Sequence, residues 1–243
     1  MQVDALALDL RPRSRLEASD LGVRLVQSQA RSVWGSFLPL YAVVVALALA
    51  TAEISPWLPA LSIYWLKPWL DRSLLFVLSR SVFGQTTRFA DLWRARREVW
   101  GRSLLATLVT RRFSPWRSFT GPLLQLEEQR GQALRWRRRQ LLRGQRGAAF
   151  AMQAAFAQVE LLMSLGVIAL LAWFEPNGHP VKVLNALSGD GLAGTLIGAG
   201  LYAAVVGVLE PFYVAAGFAM YLNRRVELEA WDIEQEFRRV FAR

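Results

Sequence analysis

The chain contains no cysteine and a single histidine in 243 residues. The first absence excludes disulfides, thiolate metal sites and cysteine nucleophiles. The second excludes a zinc or di-metal centre built from several histidines; His179, in FEPNGHPVKV, reads as a solvated loop residue. Acids are scarce too, 19 against 29 lysines and arginines, for a formal net charge of +10. No G-x-S-x-G elbow, P-loop, H-E-x-x-H or G-x-G-x-x-G occurs. The expectation is a non-enzyme with no catalytic residue, metal or cofactor.

What is plentiful is apolar sequence. Hydrophobic residues make up 53%, ten of them tryptophan, while charged residues still reach 20%. That mixture fits a membrane protein with sizeable parts outside the lipid. Residues 33–52, VWGSFLPLYAVVVALALATA, carry no charge. At about 1.5 Å per helical residue they cross a hydrocarbon core of about 30 Å. Residues 147–174 contain one charge, Glu160, and residues 191–222 contain one, Glu210, directly before Pro211. Residues 54–80 are less uniform, because ISPWLPALSIYWL runs into KPWLDR. Lys67 and Asp71 stand at i, i+4, which on a helix makes them a candidate ion pair, and Pro68 predicts a kink. A kinked return span is the favoured reading there, with a half-span turning into an interfacial helix as the alternative. The expected fold is all-α: a polytopic helical membrane protein with about four spans plus amphipathic cytoplasmic helices.

The distribution of lysine and arginine orients those spans. Residues 1–32 carry five, 67–146 carry eighteen, 175–190 carry one and 223–243 carry five. Four spans with both termini cytoplasmic put nearly all of them on one side, as the positive-inside rule requires. The basic balance is thus mainly a topogenic signal. The largely polar residues 1–32 lead into the first apolar run without a small-residue cleavage site, so no cleaved leader is expected. The organisation read from these boundaries is an N-terminal helix (1–32), a first membrane helix pair (33–80), basic cytoplasmic or interfacial helices (81–146), a second membrane helix pair (147–222) and a cytoplasmic amphipathic helix (223–243).

Outside the spans, Ser14 and Glu17 in SRLE fit a capping box that opens a helix towards Arg31. Phe89, Leu92, Trp93, Val99, Trp100 and Leu104 recur at helical spacing among Arg88, Arg94, Arg97 and Arg102. This predicts one amphipathic basic helix lying on an anionic leaflet. RGQALRWRRRQLLRGQRG follows, with Arg137, Arg138 and Arg139 in tandem. Trp136 among arginines admits a nucleic-acid reading, but contact with lipid headgroups beside a membrane helix is preferred. In the tail, Val226, Ala230, Ile233, Phe237 and Val240 form a helical seam, suited to packing on the chain itself or on a partner.

An ionisable group at membrane depth costs about 2.5–3.5 kcal/mol on insertion scales. Glu160 and Glu210 therefore need partners or water. Lys67, Arg72 and Arg102 are the candidate cations for Glu210, and a structural anchor is favoured over a proton carrier. Gly194 and Gly198 in GTLIG, and the small-residue stripe Ala199, Ala203 and Gly207, permit close helix approach. LEASDLGVRL and LEAWDIEQEF, near the two ends, echo each other as two helix-pair halves of common design would.

The segment EPFYVAAGFAMYLNRRVELEAWDIEQEFRR (210–239) carries Tyr221, Arg225, Glu229 and Asp232. Here the chain resembles a broad group of poorly characterised bacterial integral-membrane proteins. These look related to the membrane domain that accompanies some glycerophosphodiester phosphodiesterases. The four residues correspond to a membrane helix ending in Tyr-x-x-x-Arg, followed by an acidic Glu-x-x-Asp helix, and RPRSRLEASDLG near the start is similar as well. The resemblance implies a multi-span inner-membrane protein with no established chemistry; one histidine could not supply the phosphodiesterase metal site. The expected function is a non-catalytic membrane subunit, a scaffold or an assembly or regulatory component. A small oligomeric transporter or channel using Glu160 and Glu210 is the alternative. Expected partners are the anionic inner leaflet and other membrane or cytoplasmic subunits, further copies of the chain included, and not nucleic acid.

The charge distribution makes a direct prediction, which the natural lack of cysteine makes simple to test. Single cysteines placed in residues 175–190 should react with an impermeant maleimide added from the periplasmic side, and a cysteine at Gln132 should not; labelling at Gln132 would overturn the topology.

Overall fold

The computed structural model describes residues 14–101, 108, 114–127, 129, 131–174, 180–188 and 191–229. Among these every regular element is helical: α1 (Arg15–Ser28), α2 (Ala30–Leu49, continued by a 3-10 turn over Ala50–Glu53), α3 (Leu58–Ser81), α4 (Phe89–Arg94), α5 (Arg96–Trp100), α6 (Arg117–Gln125), α7 (Gly131–Leu142), α8 (Arg146–Trp173), α9 (Pro180–Ser188) and α10 (Leu192–Glu229). Three are long and apolar enough to cross a membrane: Ala30–Glu53, Arg146–Trp173 and Leu192–Glu229, with mean hydropathies of 2.1, 2.0 and 2.0. A helix satisfies its backbone hydrogen bonds internally, which is the condition for crossing lipid. Length and composition thus support three spans where four were expected. Helix α3 is a 24-residue helix that runs on through Pro68. It carries Lys67, Asp71, Arg72 and Arg80, and that charge keeps it out of the apolar set.

The chain forms two compact units. The first holds the described residues up to Phe37, from Pro68 to Gln153 and from Pro211 onward. Its core is aliphatic and aromatic, with Val26, Leu70, Leu74, Leu78, Leu92, Leu123, Phe218 and Tyr221 all nearly fully buried. Two glycines set how closely its helices pack. A Cβ on Gly22 would lie 2.3 Å from the Ala215 carbonyl oxygen, and one on Gly217 would lie 2.3 Å from Ser118 Oγ. Only hydrogen at these positions lets α1 and α6 meet α10. A turn is pinned in the same unit by the Ser32 and Ser36 hydroxyls, which donate to the Thr87 carbonyl at 3.0 and 2.8 Å, while the Thr87 N–H donates back to Ser32.

Helix α1 begins where the capping motif placed it, the Ser14 hydroxyl accepting from the Glu17 N–H at 3.3 Å. The single basic helix expected from residue 89 is broken at Ala95, which leaves helical geometry at ψ 7°. The Arg96 guanidinium caps the Trp93 carbonyl at the break. Beyond it, Trp100 docks on α3 through Ser73 Oγ at 2.9 Å and against the Trp69 ring at 5.2 Å. Leu92 and Val99 are buried in the protein itself, so this apolar stripe is a core contribution more than a lipid face. Helix α9 was read as loop; it is only nine residues long and starts on a proline, whose fixed φ suits the first helical position.

The second unit holds Leu38–Lys67 and Ala154–Glu210. Its buried residues include Tyr41, Val44, Ala48, Ile63, Ala199, Ala203 and Val206. Helix α8 contrasts with them. None of its most apolar 18-residue window is buried, and Val159, Leu161, Leu162, Leu165 and Leu170 are exposed. So continuous an exposed apolar surface belongs against lipid or another apolar partner.

The last helix continues past the end of the apolar run at 222. Helix α10 runs unbroken for 38 residues through Pro211 to Glu229. No glycine or proline stands between Gly217 and Glu229 to stop it, and Arg224–Glu227 and Arg225–Glu229 pair along the helix at 2.7 and 2.6 Å. The tail seam from Ala230 onward, Asp232, His179 and Arg102 lie outside the described residues.

Candidate functional site

The densest buried ionic group lies in the second unit. Ala203, Gly207 and Glu210 stand at i, i+4 and i+7 on α10 and so share a helical face. Ala203 and Gly207 leave that face low, and the Tyr41 ring of α2 fills the space. A Cβ on Gly207 would lie 2.9 Å from Tyr41 Cε1, and the Tyr41 hydroxyl donates to the Ala203 carbonyl at 2.6 Å. Pro211 has no N–H for the Gly207 carbonyl, one turn before it, to accept from.

Lys67 of α3 meets both membrane-depth acids. Its Nζ lies 2.6 Å from Glu160 Oε2 and 3.3 Å from Glu210 Oε2. The Tyr202 hydroxyl donates to the other Glu160 oxygen at 3.0 Å, and the ammonium lies 5.9 Å from the centre of the Tyr202 ring. Side-chain exposure is 5% for Lys67, 3% for Glu210 and 23% for Glu160. Two carboxylates thus share one ammonium, and a phenol satisfies part of the remainder. Desolvating such groups costs several kcal/mol per ion, which mutual pairing and added hydrogen bonds can offset, whereas removing one partner typically costs about 3–5 kcal/mol. Two carboxylates and one lysine make a brace. They do not make a metal centre, and among the described residues no group of three or more His, Cys, Asp or Glu side chains is placed to hold an ion.

Other nominated residues fall elsewhere. Asp71 lies in the first unit, 2.9 Å from Arg117 Nε. Lys67 meets two acids, on α8 and α10. Arg72 belongs to the first unit, where its carbonyl accepts from the Gln125 amide at 2.8 Å. Gly194 is buried, and Gly198 has only the Leu187 carbonyl at 4.0 Å from a built Cβ.

The C-terminal motif residues form a second network, within the first unit. Tyr221 donates to Glu127 at 2.6 Å, Arg137 Nε lies 2.9 Å from Glu127, Arg137 also pairs with Glu229, and Arg225 binds Glu229 at 2.6 Å. Burial by itself lowers the Arg137 guanidinium, but its bonds to Glu127 and Glu229 outweigh this and hold it above its ordinary value. Arg137, nominated for headgroup contact, is engaged by Glu127 and Glu229. Arg138 donates to Ser114 Oγ at 3.1 Å and lies against the Trp116 ring. Arg139, Arg94 and Arg97 remain exposed.

Tyr41, Tyr202 and Glu127 were not singled out as site residues. Tyr202 had a legible signal, since it precedes Glu210 by eight residues, a little over two turns. No family model matches the chain, and neither a curated protein nor a solved structure matches it.

The Tyr41–Gly207 contact predicts a graded response in detergent unfolding. Gly207→Val should lower stability by about 1–3 kcal/mol through overpacking against the ring. Tyr41→Phe, which keeps the ring and loses the hydroxyl's bond to Ala203, should cost about 0.5–1.5 kcal/mol. Undiminished stability in Gly207→Val would contradict a ring seated on the glycine.

Proposed function

We propose that this chain is a non-catalytic subunit of a bacterial inner-membrane assembly, acting as a scaffold or as an assembly or regulatory component. The observation that carries this reading is the mutual engagement of Lys67, Glu160 and Glu210, with Tyr202 on the remaining Glu160 oxygen. Charges held by one another stiffen a bundle, and a conducting path needs charges that water or a cargo can reach. The exposed apolar length of α8 supports a partner helix as well as lipid, because association in a bilayer depends on packing and needs such a flank. The placement proposed is multi-pass, with α3 as a charged fourth membrane segment and with both termini and the basic segment on the cytoplasmic side. It rests on the distribution of arginine and lysine and on the sequence likeness to the membrane domain that accompanies some glycerophosphodiester phosphodiesterases. The partners proposed are the anionic inner leaflet and further protein subunits, copies of this chain included. Nucleic acid is not among them, since Arg137 and Arg138 are engaged by Glu127, Glu229 and Ser114.

A transporter or channel is the second reading. It is favoured by one feature: two acids share a single lysine, and Glu160 keeps 23% of its side chain exposed.

Reconstitution distinguishes the two. In proteoliposomes holding a pH-sensitive dye, the chain should carry no proton flux above empty vesicles under an imposed pH gradient. Glu210→Gln should lower the melting temperature in detergent. A flux that Glu210→Gln abolishes, with melting unchanged, would replace the subunit reading by the transporter.

A further inference from the structure

The first unit contains a pocket of about 260 Å³ that the ionic networks above do not use. Arg72, Arg117 and Arg138 line it, with Asp71 as the one acid among the described lining residues. Arg117 lies 2.9 Å from Asp71 and 5.2 Å from the centre of the Tyr213 ring. That pair is internally neutral, so the lining as a whole keeps a cationic excess. Arg138 is held in place by Ser114 Oγ and the Trp116 face.

Ser118 Oγ packs against Gly217 and, like Gln125 Oε1, is sealed from the cavity. The rest of the wall is apolar, with Leu123, Leu134 and Val214 among its residues. Guanidinium groups recognise planar and tetrahedral oxyanions through paired N–H donors, and do so better than lysine does.

We propose that this pocket binds a phosphate-bearing anion, the phosphate facing Arg72 and Arg138 and its organic portion lying on Leu134 and Val214. A lipid headgroup and a soluble phosphate ester carry the same chemistry. The proposal stands apart from the subunit reading, since it uses neither Lys67 nor the two membrane-depth acids.

The test uses the full chain purified in a neutral detergent. Thermal stabilisation is titrated with dioleoyl phosphatidic acid, with dioleoyl phosphatidylcholine as the zwitterionic control, and separately with glycerol 3-phosphate. Stabilisation by phosphatidic acid alone assigns the site to a lipid headgroup, and stabilisation by glycerol 3-phosphate assigns it to the phosphate ester itself. Arg138→Gln should weaken either response about tenfold or more. Leu134→Trp, which fills the pocket and keeps every arginine, should also abolish it. Arg139→Gln removes the same charge from an exposed neighbour and should leave the response intact. No stabilisation by either probe beyond the phosphatidylcholine control would overturn the proposal. So would an equal loss in Arg138→Gln and Arg139→Gln, which would mark diffuse attraction to a basic surface.

Discussion

A buried carboxylate, Glu210, and a half-buried one, Glu160, share one ammonium in the second unit, and its packing is arranged around that fact. Glu160 and Glu210 sit on the two longest apolar helices, where each alone carries a desolvation cost that apolar neighbours cannot relieve. Lys67 answers both at 2.6 and 3.3 Å. For the lysine to arrive there, α3 must bring a charged residue against α8 and α10, and that requirement explains why α3 is the least apolar of the long helices. The small face of Ala203 and Gly207 then seats Tyr41 one turn from Glu210. Charge pairing and close packing therefore act on the same stretch of α10.

The first unit handles its charge by a different route. Many arginines in one segment would ordinarily form a solvated or lipid-facing surface, yet several here turn inward to specific acids. Arg117 takes Asp71, and Arg137 takes both Glu127 and Glu229. These links tie residues far apart in sequence and leave a subset, Arg94, Arg97 and Arg139 among them, on the outside. Positive charge that orients a chain in a membrane thus also serves as internal fastening once the chain has folded.

The all-helical character and the long apolar helices were legible from charge-free runs, because lipid-length apolar segments admit few other solutions. Lys67 was named among the cations within reach of Glu210, since reach along a helix follows from residue counting. Which cation Asp71 takes was not legible. The i, i+4 rule describes an isolated helix, and Arg117 enters from a segment 46 positions away that only the tertiary fold brings near. The break at Ala95 escaped notice for a similar reason: the apolar spacing of residues 89–100 suits one helix, while the docking of Trp100 on Ser73 and Trp69 fixes a different register. The last helix runs past the end of the apolar run at 222. Charge does not terminate a helix, and Arg225–Glu229 pairing prolongs it.

The claim that Lys67 binds the bundle together through its acids is tested most directly by a double-mutant cycle on Lys67→Met and Glu210→Gln, with unfolding measured in lipid bicelles. Polar contacts between membrane helices average about 0.6 kcal/mol in such cycles, whereas a desolvated ion pair should couple by about 2 kcal/mol or more. A coupling in that higher range is expected. A value indistinguishable from zero would contradict the brace and leave the proximity of the two side chains without energetic consequence.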